Sequence, residues 1–171
     1  MAKQVPLAIV LHGSIGVGKT TLGEALARHL GGSYFDGDRF QHAGRPWFAS
    51  SRKVAGELVK AAIGATHTGA PAVLGYPLRC TDHIHLKHRL AAAGVRSFFV
   101  NLQAPLEIIV APARGRRFTE WERQRTAEMI EQGYNNRPWS NAWIDTSGSR
   151  ETSMRKIVEA LVGSNIVQEN R

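Results

Sequence analysis

The segment Gly13-Ser14-Ile15-Gly16-Val17-Gly18-Lys19-Thr20 follows the pattern G-x-x-x-x-G-K-[ST], which is built to hold phosphate. Glycines at 13, 16 and 18 let the backbone wrap closely, so that several N–H groups point inward at phosphate oxygens. Lys19 can reach the β- and γ-phosphates of a nucleoside triphosphate, and the Thr20 hydroxyl can ligate Mg²⁺. A helix that starts here, through Thr21, directs its positive end at the same phosphates. The expected nucleotide-binding set is therefore Gly13, Ser14, Ile15, Gly16, Val17, Gly18, Lys19, Thr20 and Thr21.

Downstream stands Asp36-Gly37-Asp38. Side chains two apart on a strand share a face, so both carboxylates would look across the mouth of the phosphate loop from a strand that ends there. One can orient Mg²⁺-bound water and the other can take a proton from an attacking hydroxyl. Asp36 is assigned to the metal with Thr20, and Asp38 to the acceptor hydroxyl, although the pattern also permits the exchange of roles. Phosphoryl transfer spreads negative charge over three oxygens, which a mobile arginine-bearing lid commonly neutralises. Arg114, Arg116 and Arg117 flank Gly115 at about 113–119, and Arg117 and Arg114 are the expected phosphate contacts. Arg39, Arg45, Arg52 and Arg79 are candidates to grip an anionic group on the acceptor, because a guanidinium binds carboxylate or phosphate bidentately. Arg79 is the best placed of them, following a strand.

The elements that must carry these residues alternate along the chain. "LAIVLH" (7–12) reads as a buried strand, and 19–30 as a helix with Leu22, Ala25, Leu26 and Leu30 at helical spacing, stopped by Gly31. "SYFD" (33–36) is a second strand and 50–66 a second helix. "PAVLGY" (71–76), "RSFFVNL" (96–102) and "AWID" (142–145) are further strands. Helices are expected over 81–93, from Pro105 to a limit at Pro112, from a capping box at Thr119 and Glu122 to about Gln132, and over 150–162. Strands alternating with helices predict a parallel sheet covered on both faces, with ligands beyond the carboxyl ends of the strands.

At 171 residues the chain fits one domain, 1–171, with an acceptor-binding segment at about 38–60. No apolar run approaches the roughly 18–20 residues that span a bilayer, and the single cysteine, Cys80, suits a reducing compartment, so a cytoplasmic location is expected and no membrane partner. The net charge of +8 favours anionic ligands. No basic run interleaved with aromatics supports nucleic acid as a partner. His83, His85 and His88 stand close together, but no further Cys or His completes a zinc site, and an exposed helix face is expected. Trp121, Trp139 and Trp143 are expected to pack, while Trp47 and Phe48 either line a pocket or pack.

No guanine-reading Asn-Lys-x-Asp motif occurs, and neither central strand ends in the acidic residue many motor ATPases use for Mg²⁺. The run "GSIGVGKTT", a helix, a glycine pair and "FDGD" resembles the small-molecule kinases of the shikimate, gluconate and adenylylsulfate kinase group. "RSFFVNLQAPLE", "RGRRF" and "IDTSGSRETSMRKIVEAL" resemble that group's fourth strand, its lid, and its last strand with adenine loop and final helix. The resemblance implies a five-stranded sheet ordered 2-3-1-4-5 in a three-layer α/β P-loop fold, an ATP- and Mg²⁺-dependent kinase, a small-molecule acceptor, and a possible acceptor role for Arg137. The chain departs from the group in having "GYPLR" after the third strand, and Ala111 and Pro112 where an arginine would pack on adenine. A nucleoside or nucleotide kinase, an antibiotic phosphotransferase and a non-catalytic ATP-binding module stay open, as do monomer and homodimer.

Overall fold

A computed structural model describes residues 5–41, 44 and 47–167, giving for 47–49 the backbone alone. Five parallel strands, β1 (Leu7–His12), β2 (Ser33–Asp36), β3 (Ala72–Gly75), β4 (Arg96–Gln103) and β5 (Ala142–Asp145), lie in the order β2-β3-β1-β4-β5. Helices α1 (Lys19–His29), α2 (Trp47–Thr66), α3 (Cys80–Ala92), α4 (Leu106–Ile109), α5 (Glu120–Glu131) and α6 (Arg150–Gly163) connect and cover them.

Every residue of the central strand β1 is buried, because layers lie on both of its faces. The two-residue period divides it. Ile9 and Leu11 join a core with Leu22 and Leu26 of α1 and Ile157 and Leu161 of α6. Ala8 and Val10 join a second core with Val54 and Leu58 of α2 and Leu86 and Leu90 of α3. Each fully buried valine, leucine or isoleucine side chain contributes about 1.5–3 kcal/mol by leaving water. This is the parallel, doubly covered sheet that alternating apolar segments predict.

Register matters more to the site than the layers do. Leu11 of β1 and Asp36 of β2 both lie level with Gly75 of β3, so the three strands end along one edge. The Gly13–Gly18 loop leaves β1 and the Asp36–Asp38 segment leaves β2 on that edge, with β3 alone between them. α1 starts immediately after Gly18, whose φ of 110° requires glycine, and it stops at Gly31, φ 65°. α2 begins at Trp47, three residues before the expected Ser50, since no helix breaker stands between them. Asp36 caps the short turn Gly37–Phe40 by accepting the Asp38 N–H. A turn at Pro112–Arg114, Gly115 at φ 75° and residues 116–119 without regular structure link α4 to α5. Among the described residues no helix is long and apolar enough to cross a membrane.

Leu58 is fully buried between α2 and the sheet, and replacing it by alanine leaves a cavity that the rigid strands cannot close. Leu58→Ala is expected to lower unfolding free energy by about 2–5 kcal/mol in a denaturant titration, with the slope unchanged.

Candidate active site

The glycine-rich loop is shaped by three glycines with positive φ, Gly13 at 143°, Gly16 at 74° and Gly18 at 110°. A side chain at Gly13 would run into the Leu102 carbonyl of β4, and one at Gly16 into the ring of Phe118. The loop is also tied from outside. Ser14 N–H donates to Asn135 Oδ1 (3.3 Å), Asn135 Nδ2 donates to the Ala104 carbonyl (3.1 Å), and Thr146 Oγ1 donates to the Val17 carbonyl (3.0 Å). Lys19 Nζ donates to the carbonyls of Ser14 (2.6 Å) and Gly13 (3.2 Å), which keeps the ammonium over the loop. Desolvation, reinforced by Arg116 and opposed by Asp38 and Asp36, lowers the Lys19 pKa to about 8, so it stays mostly charged at neutral pH.

The aspartates sit where the strand ends bring them. Thr20 Oγ1 donates to Asp36 Oδ2 (3.1 Å), and Asp36 Oδ1 accepts the Asp38 N–H (3.0 Å). Asp38 lines the cleft beside Lys19 and Thr20, and Gln41 Nε2 donates to its Oδ1 (2.9 Å). Burial raises the Asp38 pKa, with Lys19 and Arg116 acting against that rise and Asp36 adding to it. Gly37 between them cannot carry a side chain, because the ring of buried Tyr76 lies against it.

Lys19, Thr20, Asp38 and Gln41 open on a cleft of about 750 Å³, whose lining does not include Asp36. Its floor is the loop from Ile15 to Thr21, one wall carries Asp38, Gln41 and Pro77, and the other carries Arg114, Arg116, Trp121 and Glu122. Beyond the loop, Thr146, Gly148 and Arg150 close the end nearest α6. Gly13 and Ser14 lie at the root of the loop, outside the lining.

The arginines divide. Arg116 reaches the cleft, lies over the Phe118 ring (4.8 Å) and pairs with Glu122 (2.8 Å). Arg114 lines the cleft but donates to the Thr146 carbonyl, while Arg117 is exposed and outside the lining. Arg79 pairs with buried Asp82 (3.1 Å) and bonds Ser51, joining the starts of α3 and α2. With Arg52 it borders a second cavity of about 600 Å³ that includes His85 and His88. Arg137 stacks on Tyr134 (4.3 Å) and donates to the Gln132 carbonyl (3.2 Å); Arg39 is exposed, and Arg45 lies outside the described residues.

Some expectations for aromatic and histidine residues are corrected. Trp121 and Trp143 are 64% and 43% exposed, Trp121 on the wall of the cleft, and of the three only Trp139 packs. His83 is not on an exposed face: it stacks on Trp139 (4.0 Å) and meets Phe99 edge-on (4.5 Å). The side chains of Trp47 and Phe48 lie outside the described residues. Among the described residues no three acidic, histidine or cysteine side chains cluster as a metal site. Glu122, Gln41, Asn135, Thr146 and His12 escaped the motif reading. The capping-box spelling marked Glu122, but as a helix start only. Asn135 and Thr146 meet the loop from more than 120 residues away, a separation no local pattern reveals.

His12, the last residue of β1, is fully buried, bonded through Nε2 to Ser140 Oγ (3.0 Å) and packed on Trp139 (4.7 Å). Burial above all, then the charges of Lys19, His83 and Arg137, lower its pKa to about 3.

No protein-family model matches the chain, and no curated protein does. Solved structures share its fold. It is similar to a gluconokinase from Sinorhizobium meliloti 1021 (19% identity, 94% of each chain, TM-score 0.72). It is also similar to shikimate kinase from Acinetobacter baumannii in complex with shikimate (20% identity, 96% of this chain and 97% of that one, TM-score 0.66). A third likeness is to Mycobacterium tuberculosis APS kinase in complex with AMPPNP and APS (18% identity, 92% and 98%, TM-score 0.65). The fold is that of the P-loop small-molecule kinases, including the strand order β2-β3-β1-β4-β5.

The folded protein holds His12 neutral while the unfolded chain protonates it near pH 6.5, so stability from this group is present above 6.5 and drains as pH falls towards 3. The expected loss is on the order of 1 kcal/mol per pH unit across that window. Denaturant titrations from pH 7 to 4 should show the slope in the wild type and a shallower one in His12→Gln.

Proposed function

We propose that the protein is an ATP- and Mg²⁺-dependent kinase that transfers the γ-phosphoryl group to a hydroxyl of a small anionic metabolite. One observation carries the reading. The phosphate loop with Lys19 and Thr20 lines a single cleft with Asp38, and Asp36 is tied to that lining through its bond from Thr20. The fold is the one used by gluconokinase, shikimate kinase and APS kinase, which adds support.

Thr20 and Asp36 offer hard oxygen donors side by side, a set suited to Mg²⁺ when phosphate oxygens and water complete the shell. Bound there, the ion would neutralise charge on the β- and γ-phosphates. The loop N–H groups and the start of α1 hold the triphosphate, and Lys19 offsets charge on the transferring group. Asp38 takes the proton of the acceptor hydroxyl as its oxygen bonds to the γ-phosphorus, while the bond to the β–γ bridging oxygen breaks and ADP leaves. A raised pKa makes Asp38 a better proton acceptor than an ordinary carboxylate. Arg116 is the lid arginine best placed for the γ-phosphate, with Arg114 and Arg117 as its neighbours in that role. Arg52 and Arg79, beside the second cavity, are our candidates for an anionic group on the acceptor, with Arg39, Arg45 and Arg137 to be tested alongside. The lone Cys80 and the nucleotide chemistry suit a cytoplasmic setting.

ADP release should be measured with Mg-ATP against shikimate, gluconate, APS, nucleoside monophosphates and hydroxylated antibiotics. One acceptor class is expected to raise it well above background. Lys19→Ala and Asp38→Asn should each lower that rate by about 100-fold or more. ATP binding without acceptor-dependent ADP from any compound, together with indifference to Asp38→Asn, would favour a binding module instead.

A further inference from the structure

Glu122 uses its two carboxylate oxygens for different tasks. Oε2 accepts from the Thr119 N–H (2.9 Å) and the Thr119 hydroxyl (3.3 Å), while the Glu122 N–H donates to Thr119 Oγ1 (3.1 Å), closing the capping box of α5. Oε1 accepts from Arg116 Nη2 at 2.8 Å. Glu122 and Arg116 both line the nucleotide cleft, and the Arg116 guanidinium also lies over Phe118, whose ring covers Gly16 of the phosphate loop. The lid arginine is thus registered against two fixed objects, the first turn of a helix and the phosphate loop itself.

A capping box needs neither the charge nor the second oxygen of its third residue, because glutamine serves there as well as glutamate. Nor does a solvent-exposed ion pair contribute much to stability. An arginine on a long flexible stem gains most from a partner that fixes its direction, since a group held in place loses less freedom when it meets charge in the transition state. The short bond from the cleft-lining guanidinium to the capping carboxylate has that form.

We infer that Glu122 is a positioning residue, which aims Arg116 at the γ-phosphate by anchoring the lid arginine to the start of α5. This rests on the kinase reading for its rate consequence, but not for its binding consequence. Arg116 is expected to distinguish a nucleotide with a γ-phosphate from one without, so the ratio of AMPPNP to ADP affinity reports its aim whether or not the acceptor is known. A ratio also cancels any general gain in anion affinity that follows loss of a negative charge.

The test is a double-mutant cycle on Arg116→Ala and Glu122→Gln, with Glu120→Gln removing the same charge from the same helical turn as a control. Calorimetry on the full chain with Mg²⁺ present gives the AMPPNP/ADP ratio, and thermal unfolding checks the cap. Glu122→Gln should melt near the wild type and lower the ratio by roughly tenfold. Arg116→Ala should lower it at least as far, the pair together no further than Arg116→Ala alone, and Glu120→Gln should leave it unchanged. With an acceptor in hand, Glu122→Gln should raise the KM for ATP in step with the fallen ratio and lower kcat as well. A ratio unaltered by Glu122→Gln, or single losses that add in the double variant, would overturn the assignment. Failure of every acceptor to release ADP from the wild type would count against the kinase reading alone, because the affinity ratio is read without turnover.

Discussion

The site depends on where β1 ends. This strand is hydrogen-bonded on both sides, to β3 and β4, and buried on both faces, so its last residues have no freedom to shift. The chain must therefore turn at Gly13, directly under the Leu102 carbonyl, where only glycine fits. That one steric limit starts the phosphate loop at a defined point and aims α1 back across it. Since β2 ends level with β1 across a single intervening strand, Asp36 meets Thr20 of the first helical turn. Moving β2 by one residue would turn the carboxylate to the opposite face of the sheet.

Around this fixed edge the remaining contacts come from distant segments. Asn135 holds Ser14, Thr146 holds Val17, and Ser140 holds His12, so the phosphate loop is braced by the stretch that leads into β5 and by the loop after it. Buried Asn101 on β4 secures the same stretch, accepting from the Arg137 N–H (2.8 Å) and donating to the Tyr134 carbonyl (2.9 Å). Buried polar side chains of this kind are costly unless paired, and pairing them makes the arrangement specific. The face of the cleft that carries Asp38 is lighter: a short turn capped by Asp36, with Gln41 as the partner of Asp38. The cradle is thus held from several directions, while the face that carries Asp38 rests on one short turn.

Much of this was legible in the sequence for physical reasons. Full burial of a parallel strand leaves an apolar run such as Leu7–Leu11, and positive φ leaves glycines at fixed offsets before Lys19. The strand order followed from a family resemblance and not from the residues themselves. What the sequence hid were contacts whose partners lie far apart along the chain or whose residue types have several uses. Nothing in the spelling of "RGRRF" says which guanidinium reaches the cleft; Arg114 and Arg116 line it, Arg117 does not, and Arg116 pairs with Glu122. Nor does the spelling show that Arg79 pairs with Asp82, three residues on at the start of the helix. Trp121 and His83 illustrate the converse, one aromatic left outside and one imidazole taken into the core, because burial is decided by the facing element and not by residue type.

We propose that β1 and β2 are held level so that Thr20 and Asp36 can hold Mg²⁺ beside the phosphate cradle. The most direct test is the dependence of AMPPNP affinity on Mg²⁺, measured by calorimetry for the wild type and for Asp36→Asn. Mg²⁺ is expected to tighten binding to the wild type by roughly tenfold or more, and the asparagine variant to keep its metal-free affinity while losing most of that gain. Equal tightening in both proteins would place the metal away from Asp36 and rule out the Thr20–Asp36 site.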